Sequence, residues 1–127
     1  MNTIIKFVVP GAAFLLTLLS GLGLSNAGKP YNGILFNVHK LIALGAVVAT
    51  GVQVVKWLKI VDFPALVVVL LVVAALCVVA LFASGALMSL DKLDYALILL
   101  IHRVAPAGLV LAMALVVYLL AARVPGQ

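Results

Sequence analysis

A chain of 127 residues that is 68% hydrophobic and 9% charged, with a mean hydropathy of +1.44, is excluded from the ordinary water-soluble class, whose apolar share is nearer about half. Each helical crossing of a bilayer takes roughly 20 apolar residues, so the length holds four crossings with short connections and no separate soluble domain. The formal charge of +5 comes from cations scattered at helix ends and beside the two histidines; with no basic run to track phosphates, nucleic acid is excluded as a partner.

The expected fold is therefore all-α: one integral membrane domain over residues 1–127, a four-helix bundle in up-down-up-down order. The first helix is predicted from about Thr3 to Leu24. Lys6, the apolar stretch and Ser25-Asn26-Ala27 loosely imitate a cleavable signal peptide. The stretch is long for a signal, however, and has a counterpart later in the chain, so it is read as a retained span. Pro10 frees the Lys6 carbonyl near the interface, where water can reach it. Ser20-Gly21-Leu22-Gly23-Leu24-Ser25 ends this helix, and Asn26-Ala27-Gly28-Lys29-Pro30 is a loop dense in turn residues.

Tyr31 leads into the second helix, Gly33 to about Lys56, which carries Leu35-Phe36-Asn37-Val38-His39-Lys40-Leu41, an imidazole followed by an ammonium in an apolar run. Lys56-Trp57-Leu58-Lys59 reads as an interfacial anchor, with an indole at headgroup level and two ammonium groups reaching phosphates. Asp62-Phe63-Pro64 starts the third helix, with Asp62 as N-cap and Pro64 in the first turn. That helix runs to about Met88 and holds the lone Cys77, a small packing residue. Ser89-Leu90-Asp91-Lys92-Leu93-Asp94 is a polar turn, and the fourth helix runs from Tyr95 to about Ala122. It carries Leu99-Leu100-Ile101-His102-Arg103-Val104, followed by Pro106, which should kink it.

The chain repeats itself. Ser20-Gly21, Ser25 and Tyr31 are matched by Ser84-Gly85, Ser89 and Tyr95 at an offset of 64, and His39-Lys40 and Gly45 by His102-Arg103 and Gly108 at an offset of 63. This is the pattern of a duplicated helical hairpin whose halves are related by an axis along the membrane normal. Lys6, Lys56, Lys59 and Arg123 fall on one side of the membrane, against the loop cations Lys29 and Lys92 on the other. Both termini are expected on the cytoplasmic side of a bacterial or archaeal inner membrane.

His39 and His102 are the only histidines. Each follows its polar turn by eight residues or so, which places both roughly 12 Å below the outer interface. In the expected bundle their helices are diagonal, with axes roughly 12–14 Å apart. That spacing is too wide for direct contact and suits imidazole, iron and imidazole with a macrocycle standing in the core. Ser20-Gly21 and Ser84-Gly85, at the same level on the other two helices, would let the flat ring approach the backbone, or serve close helix packing. The Ser20 and Ser84 hydroxyls, or backbone carbonyls, are candidates to accept the Nδ1 proton of each imidazole. Lys40 and Arg103 would either pair with outward-pointing haem propionates or snorkel to lipid phosphates. On the face of His39, Ala43, Ala46, Thr50 and Gln53 follow; the two polar residues would mark a hydrated or quinone-accessible pocket, or bond a neighbouring backbone. A zinc site lacks the four ligands it needs.

At His39-Lys40 and His102-Arg103 the chain resembles the four-helix membrane b-type cytochromes, such as the b-561 type. The resemblance implies one non-covalent haem b per chain, iron ligation by His39 and His102, and one-electron transfer, as a free-standing cytochrome or an oxidoreductase subunit. Two-haem members carry a second histidine pair deeper in the bundle. The corresponding stretches here, around Val52-Gln53 and Val116-Val117, offer none. Expected partners are the lipid bilayer and either a quinol or an external redox protein; a bundle this small also leaves room for a homo-oligomer. The competing reading is a non-redox transporter or accessory subunit with structural or proton-binding histidines. Against a proton-coupled transporter stands the position of the three acids, Asp62, Asp91 and Asp94, all in loops or at helix starts.

Overall fold

In lipid, backbone N–H and C=O groups find partners only within a helix or a closed barrel, and runs of leucine, valine and alanine this long take the helical solution. In the computed structural model, which describes residues 3–28, 30, 32–90 and 94–123, 89% of the described residues are helical and none is in a strand. Lys29, Tyr31, Asp91 and Lys92, assigned above to the connections, lie outside the described residues. The chain divides into two units, Met1–Val61 and Asp62–Gln127, each a pair of long antiparallel helices, as a duplicated hairpin requires.

The first unit holds α1 (Thr3–Lys6), α2 (Val8–Ala27) and α3 (Gly33–Leu58). The single helix expected over Thr3–Leu24 is instead broken at Phe7 and continues past Ser25 to Ala27. Pro10 causes the break: it has no N–H for the Lys6 carbonyl, and its ring crowds that carbonyl. The Phe7 amide turns back to the Ile4 carbonyl at 3.1 Å, and regular bonding resumes with the Gly11 amide on Phe7 at 2.9 Å. Gly28, at φ 72°, ends α2 in a backbone conformation that favours glycine. Asn32 starts α3 as a full cap, its Oδ1 accepting from the Ile34 and Leu35 amides at 2.9 and 3.1 Å.

The second unit holds α4 (Ala65–Leu90) and α5 (Tyr95–Ala121). Pro64, expected inside the first turn, stands just outside it, and its carbonyl accepts from the Val67 and Val68 amides. Pro64 therefore occupies the capping position assigned above to Asp62. Asp94 caps α5, accepting from the Ala96 amide at 3.0 Å, and α5 passes through Pro106 without interruption.

Four helices, α2 to α5, are long and apolar enough to cross a membrane. At 1.5 Å per residue α2 is about 30 Å long and the other three about 39–40 Å, against a hydrocarbon core of about 30 Å. Large apolar side chains are exposed along all four, including Val9 at 72%, Leu41 at 68% and Leu111 at 67%. That surface would aggregate in water and is satisfied by lipid tails. The protein is an all-α integral membrane protein.

Candidate functional site

A serine inside a helix commonly turns its hydroxyl back onto a carbonyl of the preceding turn. Ser20 Oγ donates to the Thr17 carbonyl at 2.9 Å, and Ser84 Oγ donates to the Leu81 carbonyl at 3.1 Å. Each oxygen has a second neighbour in its own hairpin. Ser20 Oγ lies 2.9 Å from His39 Nδ1, and Ser84 Oγ lies 2.8 Å from His102 Nδ1.

These distances determine where the ring protons sit. A hydroxyl has one proton and a carbonyl has none. If Nδ1 took the serine proton, the serine oxygen and the carbonyl oxygen would face each other at 2.9–3.1 Å as two bare acceptors. With the proton on Nδ1 both contacts are satisfied: ring N–H to serine oxygen, serine O–H to carbonyl. Assigned from this pair of contacts, the proton sits on Nδ1 and the lone pair on Nε2; the Thr17 backbone is a further hydrogen-bond partner of the His39 ring. The hydrogen bond expected of Ser20 and Ser84 forms, and the Thr17 and Leu81 carbonyls at its far end are additions that the sequence reading missed. A serine three residues after a residue whose carbonyl it could reach was the available signal.

The glycines next to these serines serve close helix packing, one of the two roles expected of them. A Cβ on Gly21 would stand 3.0 Å from His39 Cε1 and 3.5 Å from Nδ1, and one on Gly85 would stand 3.4 Å from His102 Cε1. The flat ring that Gly21 and Gly85 admit to the backbone is the imidazole of the facing helix. Glycine and serine together form one device, the first letting the ring in and the second binding its Nδ1.

Both imidazoles are half-buried, while Lys40 and Arg103 are exposed. Lys40 Nζ lies over the Phe36 ring, 4.0 Å from its centroid, so its stem bends one turn back toward the loop end of α3. Thr50 Oγ1 donates to the Ala46 carbonyl at 2.8 Å, the backbone bond among the alternatives for that residue. Cys77 is half-buried, and a Cβ on Gly108 would come within 3.2 Å of its sulfur, a close helix contact between α4 and α5. Trp57 is buried rather than spread along an interface, and Lys6 Nζ sits 4.7 Å from its ring centroid.

No three histidine, cysteine, aspartate or glutamate side chains among the described residues gather into a metal-binding group. Comparisons with protein families, with curated proteins and with solved structures found no match.

Proposed function

We propose that the protein is a membrane b-type cytochrome that binds one haem b non-covalently, with His39 and His102 as the axial ligands. The observation that carries this reading is the tautomer held twice over. A ligating histidine needs a lone pair on one nitrogen and an anchored N–H on the other, and in each hairpin a serine oxygen stands within hydrogen-bond distance of Nδ1, which supports an assignment with Nδ1–H on serine and the lone pair on Nε2. The donor set suits the group: a haem would ask the protein for histidine nitrogens alone, and His39 and His102 would supply one from each hairpin.

Haem held by His39 and His102 would supply a one-electron carrier, which suits relay of electrons. The chain's own residues do the rest. Ser20 and Ser84 hold each ring against rotation and, by accepting its proton, raise the basicity of the opposite nitrogen. Lys40, leaning toward the loop end over Phe36, and Arg103 provide cations for the propionates. The exposed leucines and valines set the whole in lipid. The electron partner on this reading is a quinol or an external redox protein, and the cytoplasmic termini follow from the distribution of lysines.

The test is haem content after expression in haem-replete cells. Purified protein should show a b-type reduced-minus-oxidised spectrum with one haem per chain. Colourless protein from cells with ample haem would overturn the proposal in favour of histidines that serve hairpin pairing alone.

A further inference from the structure

The two halves differ in charge at the end of the first hairpin remote from its loop. Lys6, Lys56, Trp57 and Lys59 stand there; the repeat offsets put Leu70, Leu119, Leu120 and Ala122 at the corresponding positions of the second hairpin. The second hairpin has a single cation at that end, Arg123 just past α5, so three lysines and the only tryptophan are more than pairing two helices requires. Lys56 and Lys59 are three residues apart at the exposed end of α3 and so project from neighbouring positions, about 5–6 Å between their Cβ atoms. Lys6 is brought to the same end by the break at Phe7, with its ammonium held over the face of Trp57. Trp57 itself is 4% exposed and forms a fixed floor.

The three ammonium groups form no ion pair with a carboxylate among the described residues. The α3 C-terminus offers partial negative charge to the nearest lysine, which leaves the pole strongly positive. An ammonium has three N–H donors, and stacking on an indole occupies one side of it, so the Lys6 group retains donors for an anion. Exposed Val55 and Leu58 flank Lys56 at this end of α3, so the pole offers cations beside an apolar surface. A phosphate head with acyl chains beneath suits both parts of that surface.

We infer that Lys6, Lys56 and Lys59 around Trp57 form a binding site for the phosphate of one anionic phospholipid, whose acyl chains lie along the first hairpin. A zwitterionic lipid brings its own ammonium to the pole and is disfavoured there. The site concerns the first hairpin alone and stands whether or not haem is bound.

Trp57 is the only tryptophan, so its fluorescence reports on this site and no other. The full chain is reconstituted in phosphatidylcholine vesicles containing a small fraction of phosphatidylglycerol brominated near the carbonyl end of one acyl chain, or the same fraction of brominated phosphatidylcholine. Brominated phosphatidylglycerol is expected to quench Trp57 as if concentrated roughly 5-fold for each lysine engaged. The double variant Lys56→Gln with Lys59→Gln should bring the two lipids close to parity, while Lys40→Gln, at the far end of α3, keeps the preference. Equal quenching by both lipids in the unaltered protein overturns the inference without reliance on any variant. So does a preference that survives the double substitution. A preference erased by inorganic phosphate at constant ionic strength also overturns it, since the pole would then be a site for soluble anions.

Discussion

The proton on Nδ1 of His39 and of His102 follows from two short distances around one serine oxygen in each hairpin. Removing that oxygen frees the ring to rotate and to change tautomer. Ser20→Ala and Ser84→Ala are each expected to weaken haem retention about 10- to 100-fold, the usual cost of losing the hydrogen bond behind a ligating histidine, as read by titrating apoprotein with haem. A substitution that left retention unchanged would mean that the serines tie helices together and nothing more. The glycines give a graded test. At Gly21 an added methyl meets the ring at 3.0 Å, and at Gly85 at 3.4 Å, so Gly21→Ala should destabilise its hairpin by about 1–3 kcal/mol and Gly85→Ala by less. Equilibrium unfolding in mixed micelles gives that order directly. At this scale the sequence showed which residues matter, because a histidine in an apolar helix stands out. It did not show what the glycines admit, because that depends on which ring crosses the helix interface.

Helix existence was legible from apolar run length, and the boundaries that moved did so for local reasons. Pro10 broke the first helix at Phe7 because the ring crowds the Lys6 carbonyl, a consequence placed too gently when that carbonyl was merely left to water. Pro64 displaced Asp62 from the cap because its carbonyl, one residue before Ala65, is the one that α4 uses. Asn32 was overlooked although its place ahead of the helix is a standard capping signal. Replacing Asn32 by Ala exposes two amides that it now satisfies, which should cost about 0.5–2 kcal/mol and speed hydrogen exchange at Ile34 and Leu35 while leaving the Asp94-capped start of α5 unchanged. Equal acceleration at both helix starts would show that the caps are not independent.

For the molecule as a whole, the repeat read from serine, glycine, tyrosine and histidine spacing reappears as two hairpins built on one plan, each with its own serine-bound imidazole. Composition was enough for the membrane, and the unbroken apolar runs were enough for the helical class, since the strands of a closed barrel alternate in polarity. What spacing could not give is the distinction between the hairpins, which lies in three lysines and a tryptophan at the end of one against Arg123 alone at the same end of the other. The same lysines predict topology: a fluorescent reporter fused after Gln127 should glow, and a periplasm-dependent phosphatase in the same position should stay inactive. The reverse result would invert the assignment of every helix end. The claim on which the account turns is that two imidazoles of one chain complete a single haem iron. Electron paramagnetic resonance of the oxidised protein tests it most directly: low-spin iron is expected in the unaltered chain, and either His39→Ala or His102→Ala should convert it to high-spin iron or lose the haem. A low-spin signal that persists after one of these substitutions would contradict the account.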